Sequence, residues 1–302
     1  MKRIGNFMFV CLLFGVLTES SGQGNLFESY DVTEDSVFLS WAEGPAVDAE
    51  GILYAVNYKE NGTIGKVMPD GTHSLFVKLP EGSIGNGLRL FNRDYLLVAD
   101  YTGHNILQVS IPDKEVAVFG HNANMNQPND LAVTSGGTIY ASDPDWENDN
   151  GQLWMVNGQG EFFLLESQMG TTNGIEVSPD DKYLYVNESN QRNIWKYDIL
   201  YDGTITNKRL FAKFEDYGMD GMRCDQNGNL YVTRFGKGTV VVLSPAGGML
   251  REVVLKGDKP TNVAFGGEDG CTVFVTVADR GAIEAFRTEV SGRAFHLIQS
   301  RE

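Results

Sequence analysis

The chain has 302 residues, with 40 Asp and Glu against 24 Lys and Arg, for a formal charge of −16. That excess of negative charge excludes nucleic acid and anionic membrane surfaces as natural partners and suits cations. Three cysteines are too few for a disulfide framework, so the fold has to rest on an apolar core.

Residues 1–23 read as a separate object. Lys2 and Arg3 precede the apolar run "FMFVCLLFGVL", and the small and polar residues "TESSGQG" follow. This is the order of a secretory signal peptide, too short to span a bilayer as a helix. The expectation is a secreted or periplasmic protein whose domain covers residues 24–302, with no membrane partner once the leader is removed. Cys224 and Cys271 are then the remaining thiols, expected to be buried, with a disulfide between them as the alternative. Asn61 and Asn187 each head a glycosylation sequon.

The rest of the chain repeats itself six times. The first unit opens at Glu43 in "AEGPAV", turns at "DAEG" and runs into "ILYAVNY". The second opens at Asn86 in "NGLRL", turns at "FNRD" and continues as "DYLLVAD". Asn129 in "QPNDLAV" opens the third, followed by "TSGG", "TIYASD" and the hairpin text "GQLWMVNGQGEFFLLE". Asn173 in "TNGIEV", Asp220 in "MDGMRC" and Asn262 in "TNVAF" open the last three, with turns "SPDD", "DQNG" and "GGEDG".

Successive openers are 42 to 47 residues apart, the period of a repeat architecture. Within each unit, alternating Tyr, Val and Leu broken by Gly and Asp turns predict four short antiparallel strands. The fold class is therefore all-β, a six-bladed β-propeller with four-stranded antiparallel blades. A β-sandwich is the runner-up, but it gives no reason for six equivalent polar strand-openers. No long 3.6-residue apolar period follows the leader, which argues against a parallel α/β fold.

In a propeller the first strand of each blade lines the central channel. Glu43, Asn86, Asn129, Asn173, Asp220 and Asn262 are accordingly expected to form a ring on one face. Oxygen donors of this kind suit a hard cation, calcium first, with magnesium, manganese or zinc as substitutes. The ring has no Cys or His, which weighs against zinc. The competing explanation is that Asp and Asn simply cap strands and turns, as they do in any β protein.

The phrases "EGP", "PNDLAV", "TNGIEVSPDDKYLYV", "DGMRCDQNGNLYV" and "GGEDG" resemble, in this order and spacing, the regucalcin (senescence marker protein), gluconolactonase and luciferin-regenerating enzyme family. The likeness runs from about Trp41 to Phe295. It implies a calcium-dependent lactonase with the metal held by Glu43, Asn129, Asn173 and Asp220, and a small lactone as the partner. On that ligand set Asp220 becomes the expected catalytic base or nucleophile. No GxSxG elbow is present, which argues against serine hydrolysis.

Substrate contacts are expected from loops on the same face: Tyr101 and His104 in "DYTGHN", Arg234 and Phe235 in "TRFGKG", and Asp143, Trp146 and Glu147 in "SDPDWENDNG". Asn86 and Gln127 complete that set. Sugar lactonases of the family carry Arg two positions before the "PND" Asn, where Gln127 stands here, so the resemblance does not carry gluconolactone specificity. Two alternatives stay open, an organophosphate hydrolase of the diisopropyl fluorophosphatase type and a non-catalytic binding propeller.

Overall fold

The stretch Tyr95–Asp100 shows how the repeats become blades. Leu96 and Val98 point into one apolar wedge and Leu97 and Ala99 into the next, all four fully buried. A strand with two buried faces belongs inside a stack of sheets. The structure, a computed structural model that describes residues 25–300, contains six four-stranded antiparallel sheets and six such wedges, one between each pair of neighbouring sheets. The leader expected over residues 1–23 lies outside the described residues.

The blades span residues 43–78, 85–121, 131–169, 172–213, 222–254 and 260–287. Their innermost strands are Glu43–Val47, Gly85–Leu90, Leu131–Val133, Thr172–Val177, Met222–Cys224 and Pro260–Gly266. Each touches the innermost strands of both neighbouring blades, so the six enclose an axis. This is the six-bladed propeller expected from the repeat.

The sixth blade departs from the expectation of four strands per unit. Its outermost strand is Tyr30–Asp31, which pairs with Ala282–Arg287 from the other end of the chain. Arg280 fastens this seam by reaching Asp31, Asp35 and the buried Glu284 at 2.6–2.9 Å. The ring is thus closed by joining the first strand to the last blade. At the far end of the channel a short helix, Arg293–Ser300, places Ile298 in the wedge between the first two blades. Among the described residues no helix is long and apolar enough to cross a membrane.

The turn acids behave as the competing explanation expected. Asp48 accepts the amides of Glu50 and Ile52 and the hydroxyl of Tyr54, and Asp225 accepts those of Asn227 and Asn229. Cys224 is buried and Cys271 partly exposed, and both are free thiols, so no disulfide joins them. The sequon at Asn187 lies on a fully buried strand position, which sugar cannot reach in the folded chain, whereas Asn61 is exposed.

Candidate functional site

Five of the six expected ring residues meet on the floor of one cavity of roughly 730 Å³. Glu43, Asn86, Asn129, Asn173 and Asp220 all border it. Four of them are followed by glycine, and close approach explains why. A Cβ on Gly174 would stand 2.3 Å from the Asp220 carbonyl oxygen, and one on Gly221 would overlap the Asn262 carboxamide at 1.9 Å. The ring closes because these positions carry no side chain.

Asn262 is the exception and a correction to the sequence reading. It is fully buried one layer below the floor, donating to Asp130 at 3.4 Å and accepting the amide of Val263, while Thr261 takes its place at the cavity. A register irregularity between Pro260 and Asn262 turns the strand there. The same lower layer holds Asp130 between Arg89 at 2.9 Å and Arg223 at 3.3 Å. Beneath it Glu176 faces Arg223 and Arg293.

The lower layer therefore sets arginines against its carboxylates, and the floor does not. Among the described residues no ion pair reaches Glu43 or Asp220. The two carboxyl groups share that floor and repel each other. Burial, and then the charge of Asp130, push Glu43 up to about 8; the Gly44 amide and Asn262 oppose this. Burial, then Glu43, hold Asp220 well above the usual carboxylate range. With Glu43 buried and Asp220 partly buried, two like charges on one floor do not readily both ionise without a cation.

The carboxamides point to the same missing charge. The side-chain oxygens of Asn129 and Asn173 are buried and accept no hydrogen bond. The Asn173 amide is anchored on Ser189 at 3.0 Å, which turns its oxygen the other way. Among the described residues no group of three or more His, Cys, Asp or Glu is arranged to hold a metal. The axial set has only two carboxylates, and its other oxygens come from carboxamides. Two carboxylates and two unpaired carboxamide oxygens fit a hard divalent cation.

Asn129 is positioned from behind by Asp143. That carboxylate is fully buried and accepts the amides of Asn126 at 2.8 Å and Gln127 at 2.6 Å, with the Trp154 indole at 3.0 Å. It fixes the turn that delivers Pro128 and Asn129, rather than bordering the cavity as expected. The Gln127 side chain is likewise absent from the walls.

The loops between second and third strands do wall the cavity, through Tyr101, Trp146 and Phe235. Three expected contacts do not. Arg234 is fully buried, stacked at 3.8 Å on Phe214 and bonded to Asp216 at 2.7 Å, because strand alternation gives the cavity position to Phe235. Glu147 is exposed on its loop, away from the walls, and His104 occupies a turn with φ of 55° outside them. The sequence reading missed Trp41, Ile84 and Met219, which reach the cavity from connections between blades. Those connections have no repeat pattern to reveal them.

Fold and floor together define a six-bladed propeller with an oxygen-donor site on its axis. The chain belongs to the SMP-30/gluconolactonase/LRE-like family, whose model matches residues 41–279. It is 27% identical over 276 residues to the gluconolactonase of Zymomonas mobilis, covering 80% of this chain and 77% of that one. To the diisopropyl-fluorophosphatase of Loligo vulgaris it is 27% identical over 296 residues, covering 87% and 92%. Among solved structures, a calcium-binding regucalcin from Agrobacterium tumefaciens superposes with a TM-score of 0.76 at 19% identity, covering 87% of this chain and 94% of that one.

Proposed function

We propose that the protein is a calcium-dependent lactonase that opens a small lactone at the floor of the axial cavity. One observation carries this reading: Glu43 and Asp220, unneutralised, share that floor with the unpaired oxygens of Asn129 and Asn173. The gluconolactonase and the calcium-binding regucalcin among its relatives support it. Magnesium and manganese are the natural substitutes for an all-oxygen set, and zinc follows them.

Glu43, Asn129, Asn173 and Asp220 would hold the cation, and when bound it supplies the positive charge that polarises a lactone carbonyl. Asp220 takes a proton from the attacking water. The water oxygen bonds to the carbonyl carbon, the ring carbon–oxygen bond breaks, and the proton passes to the departing ring oxygen, leaving a hydroxy acid. Asn86 donates to the Asn129 carbonyl at 3.0 Å and keeps that segment of the floor in place. The leader expected over residues 1–23 supports a secreted or periplasmic setting.

The organophosphate reading shares the floor, and one observation favours it. The fluorophosphatase relative covers more of the chain than the gluconolactonase does. The deciding experiment strips the protein with a chelator, adds calcium back, and follows acid release from a lactone panel beside fluoride release from a fluorophosphate. Calcium-restored lactone opening supports the proposal. Fluoride release without lactone opening would overturn it.

A further inference from the structure

Above its floor, the cavity gathers six large apolar and aromatic side chains. Trp41, Ile84, Tyr101, Trp146, Met219 and Phe235 form its walls and mouth, drawn from different blades and from the connections between them. Trp41 is 66% exposed and Trp146 36%. Large aromatic faces left in water around the mouth of a cavity are what a ligand covers. Tyr101 and Trp146 both border the cavity, each an amphipathic ring on a loop of its own blade.

Polar recognition is correspondingly thin. Among the described residues no Lys, Arg or His borders the cavity, and the only acids there are Glu43 and Asp220 on the floor. A phosphate, sulfonate or carboxylate on the ligand would meet no counter-charge above the cation site. Several polar groups of the rim are spent inside the protein. The Thr102 hydroxyl donates to Gly82 at 2.6 Å and accepts the amide of Ile84. The Ser189 hydroxyl is held by Asn173 and Met219, and the Asn190 amide donates to Asp149 at 2.7 Å. A polyhydroxylated ring would find the unpaired Asn57 oxygen and the Asn61 side chain, but would have to shed water against the apolar walls.

We infer that the ligand this cavity takes is an uncharged lactone with an apolar alkyl or aryl substituent, the ring at the floor and the substituent between Trp41 and Trp146. The volume agrees, since roughly 730 Å³ exceeds what a bare lactone ring fills. The inference rests on the lactonase reading for the ring and on the aromatic mouth for the substituent. The two can be tested apart.

The calcium-loaded full chain is assayed on four lactones: unsubstituted δ-valerolactone, its 5-pentyl derivative, dihydrocoumarin and glucono-δ-lactone. The expected result is a kcat/KM for the pentyl and aryl lactones at least tenfold above the unsubstituted ring, with gluconolactone lowest. Trp41→Ala and Trp146→Ala should each cut the pentyl-to-unsubstituted ratio about tenfold, which is about 1.4 kcal/mol. In parallel, quenching of tryptophan fluorescence measures binding of the 5-pentyl δ-lactam, which cannot turn over readily, against a polyhydroxylated lactam. Lactam binding without any lactone turnover would overturn the lactonase reading and keep the apolar ligand. Gluconolactone equal to or better than the pentyl lactone, a ratio indifferent to both tryptophans, or no preference for the pentyl lactam would overturn this inference.

Discussion

Glu43 and Asp220, at the head of the first and fifth blades, share the floor of the axial cavity, where the charge of Glu43 helps to hold the Asp220 carboxyl up, and among the described residues no ion pair reaches either. Placing a buried acid beside a partly buried one costs stability unless something positive joins them. The arrangement is therefore unfavourable for folding alone and favourable for holding a divalent cation.

Asp220→Asn keeps an oxygen on the floor but removes the charge. In chelator-treated protein the substitution should leave the melting temperature level with wild type or above it, because the repulsion with Glu43 is gone. The stabilisation gained on adding calcium should shrink, with affinity at least tenfold weaker, about 1.4 kcal/mol. At saturating calcium, kcat should stay roughly a hundredfold or more below wild type, the usual scale of a lost general base. Recovery of near-wild-type kcat would make Asp220 a ligand only.

Asp143→Ala removes the acceptor of two backbone amides and one indole, all buried. Unpaired donors of this kind make a loss of roughly 3 kcal/mol the expected outcome of urea unfolding. Calcium affinity should fall as well, because Asn129 loses its support. Asp143→Asn keeps one acceptor oxygen and should lose about half as much. Unchanged calcium affinity in the alanine variant would separate Asp143 from the floor.

What could be read from the sequence follows what repeats. The period and the polar openers brought five residues to one cavity, and the glycine after four of them was visible, though only the structure shows which neighbour needs the space. Position within a repeat is readable to about one residue, and one residue changes the face of a strand. That is why Thr261 stands where Asn262 was expected, and why, of the expected pair Arg234 and Phe235, Phe235 alone borders the cavity. The strand Tyr30–Asp31 was not legible, because two residues cannot display alternation and their partner lies at the other end of the chain. Trp41 and Met219 escaped for a related reason, since connections between blades carry no period.

Ring closure should depend on Arg280. Its guanidinium serves Asp31, Asp35 and the fully buried Glu284, which also accepts the amides of Lys256 and Gly257. Arg280→Met strands a buried carboxylate and loosens the strand that joins the two ends of the chain. A loss of about 3 kcal/mol in urea unfolding is expected. Lys78→Met breaks only the exposed pair with Glu60 and should change stability by less than about 1 kcal/mol. Equal effects of the two substitutions would mean that the seam carries no special share of the stability.

Glu176 makes stability depend on pH in a stated direction. Burial pushes its carboxyl up to about 7 from an ordinary 4.5, although Arg89 and Arg293 pull the other way. The folded chain then holds this proton more tightly than the unfolded chain does. Its contribution to stability is complete below pH 4.5 and declines as pH rises through about 7, by roughly 3 kcal/mol across that window. Glu176→Gln cannot lose a proton, so its stability should fall less between pH 5 and pH 8 than that of wild type. Arg293 keeps Asp181 and the Ser178 carbonyl, and Arg223 keeps Asp130, so the glutamine leaves neither guanidinium without a partner. Urea unfolding of both proteins at the two pH values, with chelator present throughout, isolates this group from the cation site. Parallel pH dependence in the two proteins would show that Glu176 ionises in the folded chain as readily as in the unfolded one, with Arg223 and Arg293 compensating its burial in full.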